Sequence, residues 1–345
     1  IFFDVTKSGS ASHRSGLTRV CERLRDGLGP AATAIAWDSG TRHFAALAHG
    51  PSPKGDWFLT AELFSEEERP GFSAFLHHRR CGRAAIFHDA IPLRHPHITW
   101  PQSVARHPGY LKQLAGFDRV WAVSEASRRE LIGYWQWLGI PQPPPVEVLH
   151  LGADLPGTIR RPPPPQAETP RLLCLGILEP RKNQQFLLEV CEALWADGVR
   201  FELHLIGRVN PHFGRPIVTR IMELRRTRGD RLHFHEAAGD ATVARWFAGA
   251  HASLFPTIAE GCGLPLLESL WLGVPCLCSD LPVLRENADG GGCLTATPND
   301  AAAWKDAIRR IVCDLPFHRQ LGAAAASRAL PTWAETARTL AQALT

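Results

Sequence analysis

Between Pro156 and Pro170 the chain carries six prolines in fifteen residues and no hydrophobic periodicity. Proline lacks a backbone donor and favours extended conformations, so no helix or sheet runs unbroken through this stretch. The 345 residues therefore divide into two blocks of ordinary domain size. Within each block, short apolar runs alternate with helical patterns. In the first, strands are expected at Ile1–Val5, Ala32–Trp37, Ala84–Phe87, Arg119–Val123 and Val146–Leu149. Leu17, Val20, Cys21, Leu24 and Leu28 share one helical face, and further helices are expected near Gln102–Leu114 and Glu125–Leu138. In the second, strands are expected at Arg171–Leu175, Phe201–Ile206, Arg231–His235, Ala252–Phe255 and Val274–Cys278. Strands alternating with helices imply parallel sheets with right-handed crossovers. The predicted architecture is α/β: two doubly wound Rossmann-like domains, 1–155 and 171–330, facing across a cleft and joined by a linker at 156–170. Beyond Pro331, residues 331–345 read as a last helix, Thr332–Leu344, expected to return to the first domain.

Composition excludes several function classes. Hydrophobic residues at 45% and charged residues at 21% are those of a globular chain. The net charge of +4 is small and the basic residues are scattered, so there is no electrostatic footprint for nucleic acid. Nine cysteines, an odd number without a C-x-x-C pair, lie mostly in apolar runs and read as reduced, buried thiols. No 18-residue apolar stretch is present, and Ile1–Val5 is too short for a signal-peptide core. A cytoplasmic protein is expected. Peripheral contact with the inner membrane would involve Trp135 and Trp137, or the basic run from His77 to Arg83, although helical spacing favours core packing for the tryptophans.

Two segments carry chemistry. The first runs from the apolar strand Ala252–Phe255 through Glu260, Gly261, Cys262 and Gly263 into a helix beginning near Leu264. Glycines at such a turn let a ligand approach the backbone, and the helix start offers N–H groups to an anion. Glu260 and Glu268 bracket the turn and can face one ligand; the alternative is a capped helix with solvated glutamates. The second segment, Gly176 to Asn183, follows the strand Arg171–Leu175. Asn183 suits a helix N-cap. Arg181 and Lys182 are adjacent cations at a strand's carboxyl end and a helix's positive end, an unfavourable place without an anion. That mismatch argues for phosphate, against the alternative of an exposed basic pair.

The pattern E-P-R-K-N after a Gly-ended strand, with Glu-x7-Glu around E-G-x-G-L-P, resembles the retaining GT-B glycosyltransferases of family 4. The likeness extends to Ser15-Gly16-Leu17-Thr18-Arg19-Val20, Phe87-His88-Asp89-Ala90-Ile91-Pro92, Val123-Ser124-Glu125-Ala126-Ser127 and Leu151-Gly152-Ala153-Asp154. It implies that Arg181 and Lys182 grip the donor diphosphate and stabilise it as it leaves, with Gly176 beside them. Backbone amides of Gly261, Cys262, Gly263 and Leu264 would hold the distal phosphate and part of the sugar. Glu260 would contact the transferred sugar, Glu268 the ribose, and His88 the region of the reacting carbon. Gly16 would let donor phosphate and acceptor approach.

The implied enzyme is a retaining, metal-independent hexosyltransferase without cofactor, using a GDP- or UDP-sugar as co-substrate. The wording of the first-domain motifs leans toward mannose or rhamnose. The implied acceptor is a glycan or lipid-linked oligosaccharide in bacterial surface polysaccharide or lipopolysaccharide synthesis. Two departures stand out: Cys262 replaces a frequent aromatic, and the first loop lacks paired glycines, leaving Lys7, Arg14 and Arg19 as alternative contacts for an acceptor phosphate. Two other readings remain open at this point: a nucleotide-sugar epimerase or hydrolase of the same shape, and a silent binding subunit.

Overall fold

A computed structural model describes residues 1–10, 15–44, 55–78, 81–160, 168–236 and 239–345. Arg14, Arg79, Arg80 and residues 161–167 of the proline-rich stretch lie outside the described residues. The chain forms two units, Ile1–Gly152 with Pro331–Thr345, and Ala153–Leu330.

The first unit holds β1 (Phe2–Asp4), β2 (Thr33–Ile35), the short antiparallel pair β3 (Trp37–Asp38) and β4 (His43–Phe44), β5 (Trp57–Thr60), β6 (Gly82–Phe87), β7 (Arg119–Ala122) and β8 (Val146–Val148). Its sheet runs β2-β1-β5-β6-β7-β8 with every pairing parallel. The helices are α1 (Gly16–Leu28), α2 (Phe72–His77), α3 (Ile91–Arg94), α4 (Pro101–Leu114) and α5 (Glu125–Trp137). Strand β5, central in the sheet, is absent from the sequence reading. Phe58, Leu59 and Thr60 are all buried, so the segment shows no polar alternation, and the apolar pattern runs on through Ala61 and Leu63. An aromatic core of Phe44, Phe58, Phe64, Phe72 and Tyr110 packs on one face.

The second unit holds β9 (Arg171–Leu175), β10 (Glu202–Ile206), β11 (Leu232–His235), β12 (Ala252–Phe255), β13 (Cys276–Ser279) and β14 (Cys293–Ala296) in the order β11-β10-β9-β12-β13-β14, again wholly parallel. Helices α6 (Gln184–Ala196), α7 (Arg215–Arg228), α8 (Asp240–Ala248), α9 (Leu264–Trp271), α10 (Pro282–Ala288), α11 (Ala301–Cys313) and α12 (Leu315–Ser327) complete it. The chain direction through the sheet reverses between β9 and β12, the position where ligands of doubly wound sheets bind.

The last helix, α13 (Trp333–Ala343), belongs to the first unit and packs on α1. A Cβ on Gly27 would stand 2.7 Å from that of Ala337, so this glycine is what lets the two helices approach. Thr336 Oγ1 donates to the His150 carbonyl at 2.8 Å.

Packing decides two sequence readings. Trp135 is fully buried, as its helical spacing favours, and donates its indole N–H to the Leu111 carbonyl at 2.8 Å, while Trp137 is 78% exposed and departs from the expected core packing. Arg83, counted in the basic run, is buried and paired with Asp118 at 2.7 Å.

The first unit also buries a charged network. Arg69 reaches Asp4 Oδ2 at 2.5 Å and Glu62 Oε2 at 2.6 Å, and all three residues are inaccessible to solvent. Glu62 in turn accepts from the amides of Lys7 at 2.8 Å and Ser8 at 2.7 Å, which ties the loop after β1 to the chain leaving β5. Removing the guanidinium would strand two buried carboxylates. Arg69→Ala should lower the unfolding free energy by about 3–5 kcal/mol in urea denaturation; a loss under about 1 kcal/mol would show that the network carries no such load.

Candidate donor-binding site

The site lies at the carboxyl ends of β9 and β12. Leaving β9, the chain passes Gly176, at φ +154°, beside Gly207, at φ +155°. A Cβ on Gly207 would stand 2.0 Å from the Gly176 carbonyl oxygen, so only glycine allows the two strand ends to lie this close. The chain then forms a 3₁₀ turn, Pro180–Lys182, and Asn183 adopts the left-handed conformation before α6. Asn183 precedes the helix, but its side chain makes no cap hydrogen bond; its Nδ2 donates to Asn299 Oδ1 at 2.9 Å instead.

Leaving β12, the loop brings Thr257 and Glu260 to the same turn. Glu260 Oε1 receives Lys182 Nζ at 2.5 Å, a guanidinium N–H of Arg181 at 3.1 Å and Thr257 Oγ1 at 2.8 Å. Arg181 also binds Glu179 Oε1 at 2.8 Å and the Ala259 carbonyl at 3.0 Å. The Ile258 amide donates to the Arg181 carbonyl at 2.9 Å, so backbone as well as charge joins the two loops. Lys182 Nζ stands 4.9 Å from the centre of the Phe255 ring.

This geometry corrects the electrostatic argument made from sequence. The two cations do not await an external anion for their local balance, because Glu179 and Glu260 supply two carboxylates. Burial pushes the Glu260 carboxyl upward, but Lys182 and Arg181 outweigh it and hold the group below the usual glutamate value. Burial draws the Lys182 ammonium below the usual lysine value, opposed by Glu260. An ammonium carries three donors, of which Glu260 engages one.

Beyond Glu260, Gly263 takes φ +84° directly before α9. A Cβ there would meet Leu284 at 2.6 Å, so the turn requires glycine for both space and conformation. The Leu264 amide heads the helix, where N–H groups lack intrahelical partners and the dipole is positive. The Cys262 carbonyl accepts from Asn287 Nδ2 at 2.5 Å, and burial raises the Cys262 thiol to about 12, so it stays protonated and is no nucleophile near neutrality. Glu268 is buried within α9. The second unit thus brings Arg181, Lys182 and Glu260 into direct contact, with Gly176 against Lys182 and Gly261–Leu264 following Glu260. Glu179 and Thr257 complete the cluster. Both stood inside the segments singled out from sequence without being assigned a role.

Gly16 and His88 belong to the first unit. Gly16 opens α1 behind a Ser15–Thr18 capping box. His88 follows β6, and its Nε2 lies 2.7 Å from the Ala61 carbonyl. A carbonyl only accepts, so Nε2 carries the proton and Nδ1 is the acceptor. Burial holds this imidazole below the usual histidine value despite that bond, hence neutral at pH 7. Lys7 pairs with Glu68 at 2.7 Å, a partly exposed ion pair.

Residues 169–314 match the family model described as "Glycosyl transferases group 1". The serotype-specific mannosyltransferase WbdA of Escherichia coli is 30% identical over 252 residues, covering 67% of this chain and 29% of that protein. The chain therefore spans under a third of the length of that relative. Among solved structures, sucrose-phosphate synthase from Thermosynechococcus elongatus superposes with a TM-score of 0.74 at 18% identity, over 99% of this chain and 97% of that one. HepE of Anabaena in complex with UDP-glucose gives 0.74 at 13% identity, over 99% and 98%. At these identities the likeness establishes the GT-B fold.

The Glu260 cluster has a signature in acid. A carboxylate with a depressed folded-state pKa contributes stability that is present above its unfolded value, near 4.5, and lost as pH falls through the folded value. Glu260→Gln should cost about 1–3 kcal/mol at pH 7 by leaving buried donors short of a charged partner. The difference from wild type should shrink below pH 4.5 in pH-dependent urea titrations. A difference constant with pH would remove the ion-pair account.

Proposed function

We propose that this chain, a member of the glycosyl transferases group 1 family with the GT-B fold, transfers a hexose from a nucleotide-diphosphate sugar to a glycan acceptor. One observation carries the reading. At the reversal point of the second sheet, an arginine and a lysine from the loop after β9 meet the glutamate that leads into the glycine-started helix after β12. Parallel sheets bind nucleotides at such a point, and all of these residues fall within the matched stretch 169–314.

In this reading the donor diphosphate lies between Arg181, Lys182 and the start of α9, where Gly261, Cys262, Gly263 and Leu264 present backbone. The bond from the anomeric carbon to the phosphate oxygen breaks, and both cations stabilise the negative charge that leaves. Fixed donors facing a charge that grows in the transition state need no reorganisation when it forms. Glu260 is ionised and already accepts three hydrogen bonds, so it cannot deliver a proton; it holds the cations and accepts from sugar hydroxyls. Glu268 serves the ribose. His88 offers Nδ1 as an acceptor to a substrate hydroxyl.

With Cys262 protonated and Glu260 engaged, the site lacks an evident protein nucleophile and a paired acid and base. The departing phosphate then accepts the acceptor hydroxyl's proton as the new glycosidic bond forms on the same face. The transfer is accordingly retaining, and Arg181 and Lys182 supply the positive charge without calling on a metal. Relatives named as mannosyltransferases support mannose within our reading of a mannose- or rhamnose-type hexose, which we take to be carried by a GDP- or UDP-sugar. They also support an acceptor in bacterial surface polysaccharide assembly, either a glycan or a lipid-linked oligosaccharide. We place the reaction on the cytoplasmic side of the inner membrane. No helix among the described residues is long and apolar enough to cross a membrane.

The test is nucleoside diphosphate release from a panel of GDP- and UDP-sugars, with and without a lipid-linked glycan fraction. Acceptor-dependent release is expected. Release independent of acceptor would instead favour a hydrolase or epimerase, and no release from any donor would favour a silent binding subunit. Arg181→Ala and Lys182→Ala should each lower kcat/KM about 10²–10³-fold with the fold retained by circular dichroism. Unchanged turnover by both variants would remove the site assignment.

A further inference from the structure

The edge of the second sheet gathers a donor set that the nucleotide site does not use. Glu202 and His204 alternate along β10, and His233 and His235 along the edge strand β11. Side chains two apart share a face, and the parallel register sets His204 beside His233 and Ile206 beside His235, so all four project together. One donor atom each from Glu202, His204 and His233 lies within 4.8 Å of the other two. His204 Nε2 is 3.0 Å from Glu202 Oε2, and its Nδ1 is 3.0 Å from His235 Nε2. The His204 and His233 rings stack with centroids 4.4 Å apart. His233 Nε2 is shielded from solvent and has no hydrogen-bond partner among the described residues.

Packing alone explains this poorly. A shielded polar atom without a partner costs about 1–3 kcal/mol, and apolar side chains would fill the same face without that cost. Two imidazole nitrogens and a carboxylate oxygen are, by contrast, a common ligand set for zinc and its late first-row neighbours. Tetrahedral zinc with bonds near 2.0–2.1 Å places its ligand atoms about 3.3 Å apart, close to the 3.0 Å between Glu202 and His204.

The surroundings fit as well. Metal-binding imidazoles are normally oriented by a hydrogen bond from the second ring nitrogen, and His235 stands at that position on His204. Trp246 of α8 covers the pair, its ring 4.8 Å from His204 and 4.3 Å from His235. Arg171 approaches Glu202 Oε2 only to 3.8 Å, which leaves that oxygen able to take a closer cation.

We propose that Glu202, His204 and His233 bind one divalent late first-row cation, Zn²⁺ foremost, and clip the edge strand β11 to β10. His235 orients His204 from outside the coordination sphere.

The experiment uses the full chain stripped with EDTA and titrated with Zn²⁺ by calorimetry, with Co²⁺ as a spectroscopic probe. One ion per chain and the visible bands of four-coordinate Co²⁺ are expected. Glu202→Gln and His233→Ala should each weaken binding more than tenfold, and His235→Ala about tenfold through the outer shell. Zn²⁺ should raise the melting temperature of wild type and not of Glu202→Gln, a partly exposed position whose substitution leaves the strand intact. Absence of saturable one-to-one binding by wild type, or equal affinity in wild type and Glu202→Gln, overturns the proposal.

Discussion

Three donors from two separate loops meet on one oxygen, Glu260 Oε1. The loops after β9 and β12 leave the sheet where its strand order reverses, so nothing in the sheet's own hydrogen bonding holds them to each other. Glu260 joins them through charge, and the Ile258 amide joins them again through the Arg181 carbonyl. Two cations held in this way need no rearrangement when a phosphate arrives. They are also neutralised in advance, so a bound anion must share them with carboxylates already present. In the proposed transfer this would moderate ground-state binding and reserve the cations for charge that grows as a bond breaks, an arrangement that favours turnover over tight binding.

The first unit solves the same problem at its own reversal point with a different outcome. There Glu62 grips the amides of Lys7 and Ser8 after β1, and Arg69 holds Glu62 together with Asp4. That network is sealed from solvent, whereas the Arg181 side chain keeps 23% of its exposure. Exposure separates their roles. A fully buried triad can shape a loop but cannot touch a ligand, while a partly exposed guanidinium is able to do both.

Much of this was legible in the chain itself. The alternation of apolar runs gave two doubly wound sheets, and the order of short motifs gave the Arg181–Lys182 and Glu260–Glu268 segments. What the sequence could not show is contact between them. Glu260 lies 78 positions from Lys182, so an isolated reading leaves two cations at a helix start short of an anion that the fold itself provides. Strand β5 escaped notice because full burial erases the alternation that marks a half-buried strand. Asn183 shows the limit of local rules: its identity suits a cap, but a left-handed backbone turns the side chain toward Asn299 instead. The histidines of β10 and β11 were visible as H-x-H and E-x-H spacings, but a site needs the register that places His204 beside His233.

The glycines separate what folding requires from what it leaves open. At Gly207 a side chain would strike the Gly176 carbonyl, at Gly263 it would strike Leu284 in a left-handed turn, and at Gly27 it would strike Ala337. Each is accounted for by the molecule's own packing. Gly16 is different. Nothing among the described residues lies within 4 Å of where its Cβ would stand, and its backbone is not left-handed. Neither space nor conformation demands glycine at this position, as is also true of Gly109 in α4 and Gly133 in α5. In the proposed transfer, the open start of α1 is where donor phosphate and acceptor would approach.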